Sequence, residues 1–516
     1  MRLKKASINV FINLLTFIIG LLPSFIVRKV FLDSLGNEML GLNSLYTNII
    51  GLLSIIELGI GSAIIYSLYK PFAEDNKEKI KGYLNYYSKF YRIVGFVILV
   101  LGLLILPFLH LFIRDEVNIL DAQLYFILFL INTLISYLFS YKLCILNVAQ
   151  EGYKVSIATT LSKLLISILQ LIVLKIYPSF YVYIFIQIFI NLAYYLFMNV
   201  YINNRYKWIK TTVGSINQEE RTSLIKNVKA IFIHKIGGTV VFGIDNLIIS
   251  TFINLTVVGI FNSYQMVIGA AQGIISSALS GVTASVGNLL VEENTENAYK
   301  VHRRLFFMSF WIVSFVTISL FNTIKQFVLL WLGEGQILDQ LTISLVLINF
   351  YFMLMRGSVE RFKEGGGIYH QDRFAPLFEA AINLLASIVL VKAIGLPGVF
   401  LGTLISNICV VFWIKPKMVY KYVFKKKLSD YFKMYFKYLL IGFVPLVITN
   451  IATLSLKESN SIFAFGANCM INVTLINLIY LLVFRRNEEF IYFKGLILNF
   501  LMRTKRLVLR KKTMEL

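Results

Sequence analysis

The chain has 516 residues, of which 58% are hydrophobic and 15% are charged, and its mean hydropathy is +0.74. Soluble proteins carry about 25% charged residues, so a soluble multidomain enzyme is excluded. The net charge of +23 would suggest nucleic-acid binding in a soluble protein, whereas in a membrane protein basic residues crowd the cytoplasmic loops and meet anionic lipid. We therefore expect membrane lipids as partners and no nucleic acid.

Apolar runs separated by polar breaks predict transmembrane helices in chain order. Fourteen are expected, at residues 8–32, 39–69, 90–113, 121–150, 155–176, 180–201, 229–252, 255–290, 304–331, 339–360, 376–394, 396–416, 433–456 and 460–484. The first run is too long for a cleaved signal peptide and predicts a retained helix. The connections on the predicted external side are very short, so any function is expected to lie between the helices.

The basic residues predict the orientation of these helices. Of the 50 Lys and Arg residues, 43 fall at the N-terminus, in alternate loops and in the C-terminal tail, and the other seven fall on the opposite side. Cytoplasmic loops are enriched in Lys and Arg, so both termini are predicted to be cytoplasmic. That orientation requires an even number of spans, which agrees with fourteen.

An internal repeat is visible when the chain is shifted by 218 residues. Segment 40–78 then overlies segment 258–296 with ten identities, Gly41 with Gly259 among them. The offset corresponds to six helices, so the copies run parallel, as in transporters built from duplicated halves. We expect an all-α integral membrane protein with two six-helix bundles (1–204 and 229–416), a cytoplasmic linker (205–228), two further helices (417–484) and a basic cytoplasmic tail (485–516).

The cysteines and histidines give no sign of a metal site or a disulfide framework. Cys144, Cys409 and Cys469 lie in apolar stretches, and an odd number of cysteines does not form such a framework. The four histidines are scattered without the spacing of metal ligands. We expect no metal or organic cofactor, and coupling to protons or sodium ions is left open.

Several segments resemble one family of membrane transporters. They are ELGIGSAIIYSLYKPFAEDN in the second helix, NVAQEGYK after the fourth, and GGTVVFGIDNLIIS with VGIFNSYQMV in the second half. These segments resemble the polysaccharide flippases of the Wzx type, whose superfamily also holds multidrug exporters and lipid II flippases.

The resemblance implies a fold, a location and a substrate. The fold is a V-shaped pair of bundles around a central cavity, in a bacterial plasma membrane. The substrate is an undecaprenyl-pyrophosphate-linked oligosaccharide, which is moved from the cytoplasmic to the outer leaflet by alternating access. The exported polymer would be a cell-surface polysaccharide such as a capsule or exopolysaccharide, and polysaccharide assembly proteins are further candidate partners. No enzymatic activity is expected.

Cations within the apolar runs are candidate substrate contacts, because an ionised group in the bilayer needs water or a partner. Arg28 and Lys29 in the first helix are candidates to bind a pyrophosphate, since guanidinium groups form charge-assisted bonds to phosphate. The resemblance favours Arg28, and snorkelling of either side chain to external headgroups is the alternative. Further candidate cavity cations are Lys142, Lys163 and Arg356.

Acidic residues within the helices are candidates for coupling and gating. Glu57, near the middle of the second helix, could couple transport to protons or form a structural hydrogen bond across the bundle. Asp245 in the seventh helix could pair with Arg28, bind a coupling cation or cap a neighbouring helix. Glu379 lies just inside the eleventh helix, where the helix dipole favours a carboxylate, and a structural role is expected.

Other functions stay open at this point. A cation-coupled multidrug exporter of the sister family would carry fewer cationic and more acidic cavity residues, whereas Arg28 and Lys29 favour an anionic substrate. A membrane-embedded polysaccharide polymerase would carry a large external loop, and an acyl transferase would carry a histidine within a helix. The short external connections and the scattered histidines disfavour both enzymes.

Overall fold

The structure is a computed structural model that describes residues 2–57, 59–113, 117–292, 295–368, 371–372, 374–457, 459–496, 498 and 502. Some side chains in the helical segments 2–10, 227–242 and 277–292 lie outside this description, those of His234 and Lys235 among them. In the described part of the chain every regular element is a helix. The expected all-α fold is therefore confirmed.

The α-helices of the described residues follow one another along the chain with short connections. They are α1 (Arg2–Leu53), α2 (Ile60–Ala73), α3 (Lys77–Ile105), α4 (Ile119–Phe139), α5 (Cys144–Val148), α6 (Gly152–Ile176), α7 (Phe180–Arg205), α8 (Trp208–Thr211), α9 (Gln218–Phe252), α10 (Leu255–Glu292), α11 (Thr295–Leu332), α12 (Gln340–Gly365), α13 (Ala375–Ile394), α14 (Leu396–Ser406), α15 (Phe412–Val419), α16 (Leu428–Ala452), α17 (Leu454–Lys457) and α18 (Ile462–Phe484). Short 3₁₀ turns follow α1, α3, α4 and α11, and π-helical turns follow α14 and α15. Residues 488–496 form a further helical segment after α18.

Eleven helical segments of the described residues are long and apolar enough to cross a membrane. The first of them, Phe11–Glu57, has 47 residues. As a helix it would span about 70 Å, more than twice the roughly 30 Å of the hydrocarbon core, so it is long enough for two crossings. Its backbone leaves the helical conformation at Gly36, with φ 80° and ψ 177°, near the predicted boundary between the first two spans. The chain is a multi-pass membrane protein, and the number fourteen stays a prediction.

The second predicted helix, 39–69, is broken near its middle. α1 ends at Leu53, a 3₁₀ turn covers 54–57, and α2 starts at Ile60 after Gly59, whose φ is 96°. Glycine adopts this left-handed conformation without the steric cost that a Cβ would bring. The prediction of a continuous helix was wrong because periodicity does not locate such a break.

The third predicted helix, 90–113, begins thirteen residues earlier than expected, at Lys77. The Asn76 side chain accepts a hydrogen bond of 3.0 Å from the backbone amide of Lys79 and caps the helix. The added turns are amphipathic, with Ile80 and Leu84 buried on one face. The apolar-run criterion misses such an extension because lysines separate its apolar residues. The predicted break at 150–154 is confirmed.

Helices α1 and α10 cross at two glycines that the internal repeat makes equivalent. A Cβ on Gly41 would lie 2.0 Å from the carbonyl oxygen of Leu255, and a Cβ on Gly259 would lie 2.8 Å from that of Asn37. Shifting residues 37 and 41 by 218 gives 255 and 259, so the contact is reciprocal. Small residues allow membrane helices to approach to backbone contact. Reciprocity is the geometry that a two-fold axis imposes on two equivalent surfaces.

The chain divides into two compact units. The first comprises Met1–Ser277, Trp331–Leu345 and Asp372–Val411, and the second comprises Ala278–Leu330, Val346–Gln371 and Phe412–Leu516. The core of the second unit is rich in aromatic rings, including those of Phe306, Phe310, Tyr438, Tyr480 and Phe484. These boundaries differ from those of the predicted bundles, and the bundles 1–204 and 229–416 stay a prediction.

Candidate functional site

A cavity of about 460 Å³ lies in the first unit between α1, α6, α7 and α10. It brings together two of the predicted cations, Arg28 from α1 and Lys163 from α6. Its neutral polar lining residues are Ser24, Asn43, Ser167, Gln170, Tyr183, Gln187 and Asn191. Among the described residues that line the cavity, none carries a carboxylate. The cavity therefore presents positive charge together with neutral hydrogen-bonding groups.

The Arg28 guanidinium is held by α10. Its Nη2 donates to the carbonyl oxygen of Gly259 at 2.8 Å, and its Nε donates to Oγ of Ser263 at 3.1 Å. A guanidinium has five N–H donors, so further donors remain for a ligand. Gly259 and Ser263 are more than 230 residues from Arg28. Both lie in the segment VGIFNSYQMV, but no sequence pattern paired them with Arg28.

The second cation, Lys163, reaches the cavity from α6. Its side chain is exposed, and within the described part of the chain its ammonium has no hydrogen-bond or ion-pair partner. An unpaired ammonium keeps its full charge for a ligand and is a compact, mobile point charge. Arg28 and Lys163 together give the cavity two positive charges.

The amide side chains of the cavity come from α1 (Asn43), α6 (Gln170) and α7 (Gln187 and Asn191). Gln187 and Asn191 are one turn apart on α7, so they project on the same side of the helix. The Asn191 side chain is oriented by its bond to Oδ1 of Asn132 (3.0 Å), and Nε2 of Gln170 donates to the Tyr183 carbonyl (3.2 Å). Amides both donate and accept, which suits the hydroxyl and amide groups of a sugar. The sequence analysis did not single out these residues.

Lys29 lies outside this cavity, although it follows Arg28 directly. Consecutive residues of a helix point about 100° apart. The Lys29 ammonium pairs with the carboxylate of Asp33 at 3.0 Å, and its side chain is 41% exposed. This placement fits the alternative of snorkelling rather than a role as a cavity cation.

Lys142 and Arg356 each bind other residues of the protein and do not line the cavity. Nζ of Lys142 donates to Oδ1 of Asn203 at 3.0 Å, away from the cavity. Arg356 lies in the second unit, with Nε 3.0 Å from the carboxylate of Glu360, which Lys415 also contacts. The structure thus places neither cation at the cavity of the first unit. Glu360 lies one turn after Arg356 on α12, so this pair could have been found from the i,i+4 spacing and was overlooked. Lys415 lies on α15, and a contact between two helices is not visible in one sequence.

Glu57 lies at the break between α1 and α2 and contacts tyrosines of a buried cluster. The Tyr91 hydroxyl donates to Oε1 of Glu57. The ring of Tyr91 packs against those of Tyr87 and Tyr137, at centroid distances of 4.2 and 5.4 Å. This arrangement matches the predicted hydrogen bond across the bundle, and it places Glu57 away from the cavity.

Asp245 forms no ion pair with Arg28, so that part of the prediction was wrong. Its side chain is 7% exposed, and its Oδ1 has no hydrogen-bond partner among the described residues. The Thr403 hydroxyl lies beside this carboxylate and accepts a bond of 2.9 Å from Nδ2 of Asn383. Hydrogen bonds that satisfy a buried carboxylate are the rule, so the unpartnered oxygen makes Asp245 a candidate to bind a proton or a cation.

α13 and α14 carry further polar side chains with oxygen atoms. Oδ1 of Asn383 is buried and has no hydrogen-bond partner among the described residues, and Thr403 Oγ1 lies 3.3 Å from the carbonyl of Val399. Glu379 is buried one turn before Asn383 on the same face of α13. No three His, Cys, Asp or Glu side chains come together in the described part of the chain.

The fold and the cavity define a class of protein, the helical multi-pass membrane proteins with a cation-lined cavity between their helices. The inward closed conformation of the lipid II flippase MurJ has a similar fold, with a TM-score of 0.68 and 12% identity; the match covers 93% of this chain and 99% of MurJ. An inward-facing multidrug resistance MATE family transporter of the MOP superfamily gives a TM-score of 0.62 at 15% identity, over 78% of this chain and 95% of that one. A MOP superfamily transporter from Pyrococcus furiosus gives 0.58 at 15% identity, over 81% and 96%.

The chain belongs to the family described as polysaccharide biosynthesis protein, whose pattern matches residues 3–284. Its fold is that of the MOP superfamily transporters. The family predicted from the second-helix and second-half segments is thereby confirmed. A search of curated protein sequences finds no match to the chain.

Proposed function

We propose that the protein flips undecaprenyl-pyrophosphate-linked oligosaccharide repeat units from the cytoplasmic to the outer leaflet of a bacterial plasma membrane. The exported units would be built into a cell-surface polysaccharide. The observation that carries the proposal is the pair of cations, Arg28 and Lys163, in one cavity whose described lining residues include no carboxylate. The family description, polysaccharide biosynthesis, and the flippase fold support it.

The cavity chemistry matches the two parts of such a headgroup. Burying the negative charges of a pyrophosphate in the bilayer is costly unless cations offset them. Arg28 offers directed N–H donors, and Lys163 offers a mobile ammonium. The amides of Gln187 and Asn191 suit sugar hydroxyls. The polyprenyl chain stays in the surrounding lipid, since it gains nothing from a polar cavity.

Coupling is assigned to Asp245. A carboxylate buried without a partner for Oδ1 is more stable when it takes up a proton or a sodium ion. The Thr403 hydroxyl provides a neutral oxygen beside it, and the Asn383 amide donates to that hydroxyl. Binding and release of that cation would change the charge of a packed helix interface, which biases an equilibrium between two conformations. Glu57 is assigned a structural role at the break of the second span.

A multidrug exporter is the second candidate, since the fold is shared with MATE transporters. Such an exporter of cationic drugs needs acidic groups in its cavity. The described lining of the cavity holds two cations and no carboxylate, so an anionic cargo is favoured.

The proposal is tested by lipid analysis of a strain that lacks the gene. We expect an undecaprenyl-pyrophosphate-linked oligosaccharide to accumulate on the cytoplasmic side, and the wild-type gene to relieve it. Repeat units that accumulate unpolymerised outside the cell would indicate a polymerase instead. A normal lipid-linked pool together with sensitivity to cationic drugs would indicate the exporter.

A further inference from the structure

A second cleft, of about 520 Å³, lies in the second unit between α11, α16, α18 and the residues that follow α18. Three cations line it, Arg303 from α11 and Lys433 with Lys437 from α16, against a single carboxylate, Glu489. The segments 300–304, 415–437 and 485–516 all belong to the side that the charge distribution predicts to be cytoplasmic. The cleft is therefore expected at the inner membrane surface.

The charges of the cleft are only partly neutralised within the protein. Glu489, 5% exposed, pairs with Arg303 at 2.6 Å and fixes the guanidinium in place, and the exposed carboxylate of Glu488 lies 4.0 Å from the same group. Lys433 and Lys437 are one turn apart on α16, and both are exposed. Neither lysine has a hydrogen-bond or ion-pair partner among the described residues. Two positive charges thus face the cleft without a counter-ion.

The cleft is polar at one end and apolar at the other. Tyr299 and Asn487 lie with the cations, whereas Ile441 and Val483 continue the lining along α16 and α18. Beyond them the same face of α16 is apolar and exposed, with Val444 at 48% and Ile448 at 42%. A molecule that fills the whole cleft needs a negatively charged head and an apolar tail.

We propose that this cleft binds an anionic phospholipid of the inner leaflet. Its phosphodiester lies between Lys433, Lys437 and Arg303, and its acyl chains run along the apolar surface of α16 and α18. Basic pockets between membrane helices at the cytoplasmic face bind anionic headgroups, and each Lys or Arg near the surface contributes about 1 kcal/mol. A soluble phosphate would use the cations but not the apolar surface, which is why a lipid is the assigned occupant.

Native mass spectrometry of the full-length protein tests this assignment, with phosphatidylglycerol, phosphatidylcholine and inorganic phosphate as probes. We expect phosphatidylglycerol to bind the wild type more tightly than phosphatidylcholine. The double variant K433Q/K437Q is expected to bind phosphatidylglycerol about 30-fold more weakly. The matched control K421Q/K427Q removes two exposed lysines of the same region that do not line the cleft. It is expected to bind like the wild type.

Three results would overturn the assignment. Equal losses in the two double variants would show that only the overall charge of the surface matters. Equal binding of phosphatidylcholine would remove the role of the negative charge. Displacement of phosphatidylglycerol by an equal concentration of inorganic phosphate would make the cleft a site for a soluble anion. The lysines are exposed, so the variants are expected to fold, and their thermal unfolding in detergent checks this.

Discussion

Arg28 and Lys29 are neighbours on α1, and the shift of one residue along the helix determines whether the side chain lines the cavity. Arg28 bonds to α10 and lines the cavity, whereas Lys29 forms an exposed ion pair with Asp33. Both are cations at nearly the same depth, so their chemistry alone does not separate them. Their contacts make them a matched pair for mutation.

We expect Arg28→Ala to reduce surface polysaccharide at least ten-fold in a complemented deletion strain, because the directed donors to the pyrophosphate are lost. Lys29→Ala is expected to leave export near the wild-type level, because exposed ion pairs contribute little. Export is measured as surface polysaccharide at equal protein abundance. Equal effects of the two changes would show that the cavity assignment of Arg28 is wrong.

The second prediction for a single residue concerns Asp245 and ion coupling. We expect Asp245→Asn to retain substrate binding but to lose the acceleration of transport by an imposed proton or sodium gradient, since the amide takes up neither ion. The measurement is the transport rate in vesicles with and without each gradient. Asp33→Asn, which changes an exposed carboxylate, is the control. A variant at Asp245 that still responds to both gradients would contradict the coupling role.

The presence of cations in the cavity was predictable from sequence. The residues that these cations contact were not predictable. Arg28 and Lys163 were found because charges are rare within apolar runs. Lys142 was selected by the same rule, although its ammonium bonds to Asn203. The rule identifies charges that need a partner. Whether the partner is a substrate or another helix depends on contacts between residues far apart in the chain.

Among the contacts between helices, the crossing of α1 and α10 leads to the clearest prediction about stability. Gly41 meets the backbone of α10, whereas Gly51, two to three turns further along the same helix, has no atom within 4 Å of an added Cβ. Substitution of each glycine by alanine therefore distinguishes the effect of close helix packing, at Gly41, from the effect of helix propensity, at Gly51.

We expect Gly41→Ala to destabilise the protein by about 1–3 kcal/mol, because the helices must move apart to admit a methyl group. Gly51→Ala is expected to leave stability unchanged or slightly raised, since alanine has the higher helix propensity. Thermal unfolding of the purified protein in detergent gives both values. An unchanged melting temperature for Gly41→Ala would contradict the close crossing.

The helices themselves were largely predictable, because about 20 apolar residues are needed to cross a bilayer. The ends of a helix were predictable only where the helix and its run of apolar residues end at the same position. α3 continues for three turns as an amphipathic helix, from Lys77, and the second span breaks at Gly59. Both departures depend on packing and backbone conformation, which hydropathy does not record.

For the whole molecule, the distribution of charge and the internal repeat predicted more of the architecture than any motif did. The 43 basic residues on one side predict the orientation, and the repeat predicted the equivalence of Gly41 and Gly259 that the reciprocal contact displays. The membership of the polysaccharide biosynthesis family supports the proposed class of cargo. The particular sugar was not predictable, because neutral amides accept many arrangements of hydroxyl groups.

The most direct test of the central claim uses the purified protein in lipid vesicles that contain a radiolabelled undecaprenyl-pyrophosphate-linked oligosaccharide. A membrane-impermeant glycosidase added outside reports how much of the glycan is accessible. In protein-free vesicles and in vesicles with Arg28→Ala, about half of the label is expected to stay protected, because a charged headgroup does not cross the bilayer unaided. With the wild-type protein, nearly all of it is expected to become accessible. A protected fraction that the wild-type protein leaves unchanged, under either ion gradient, would contradict the account.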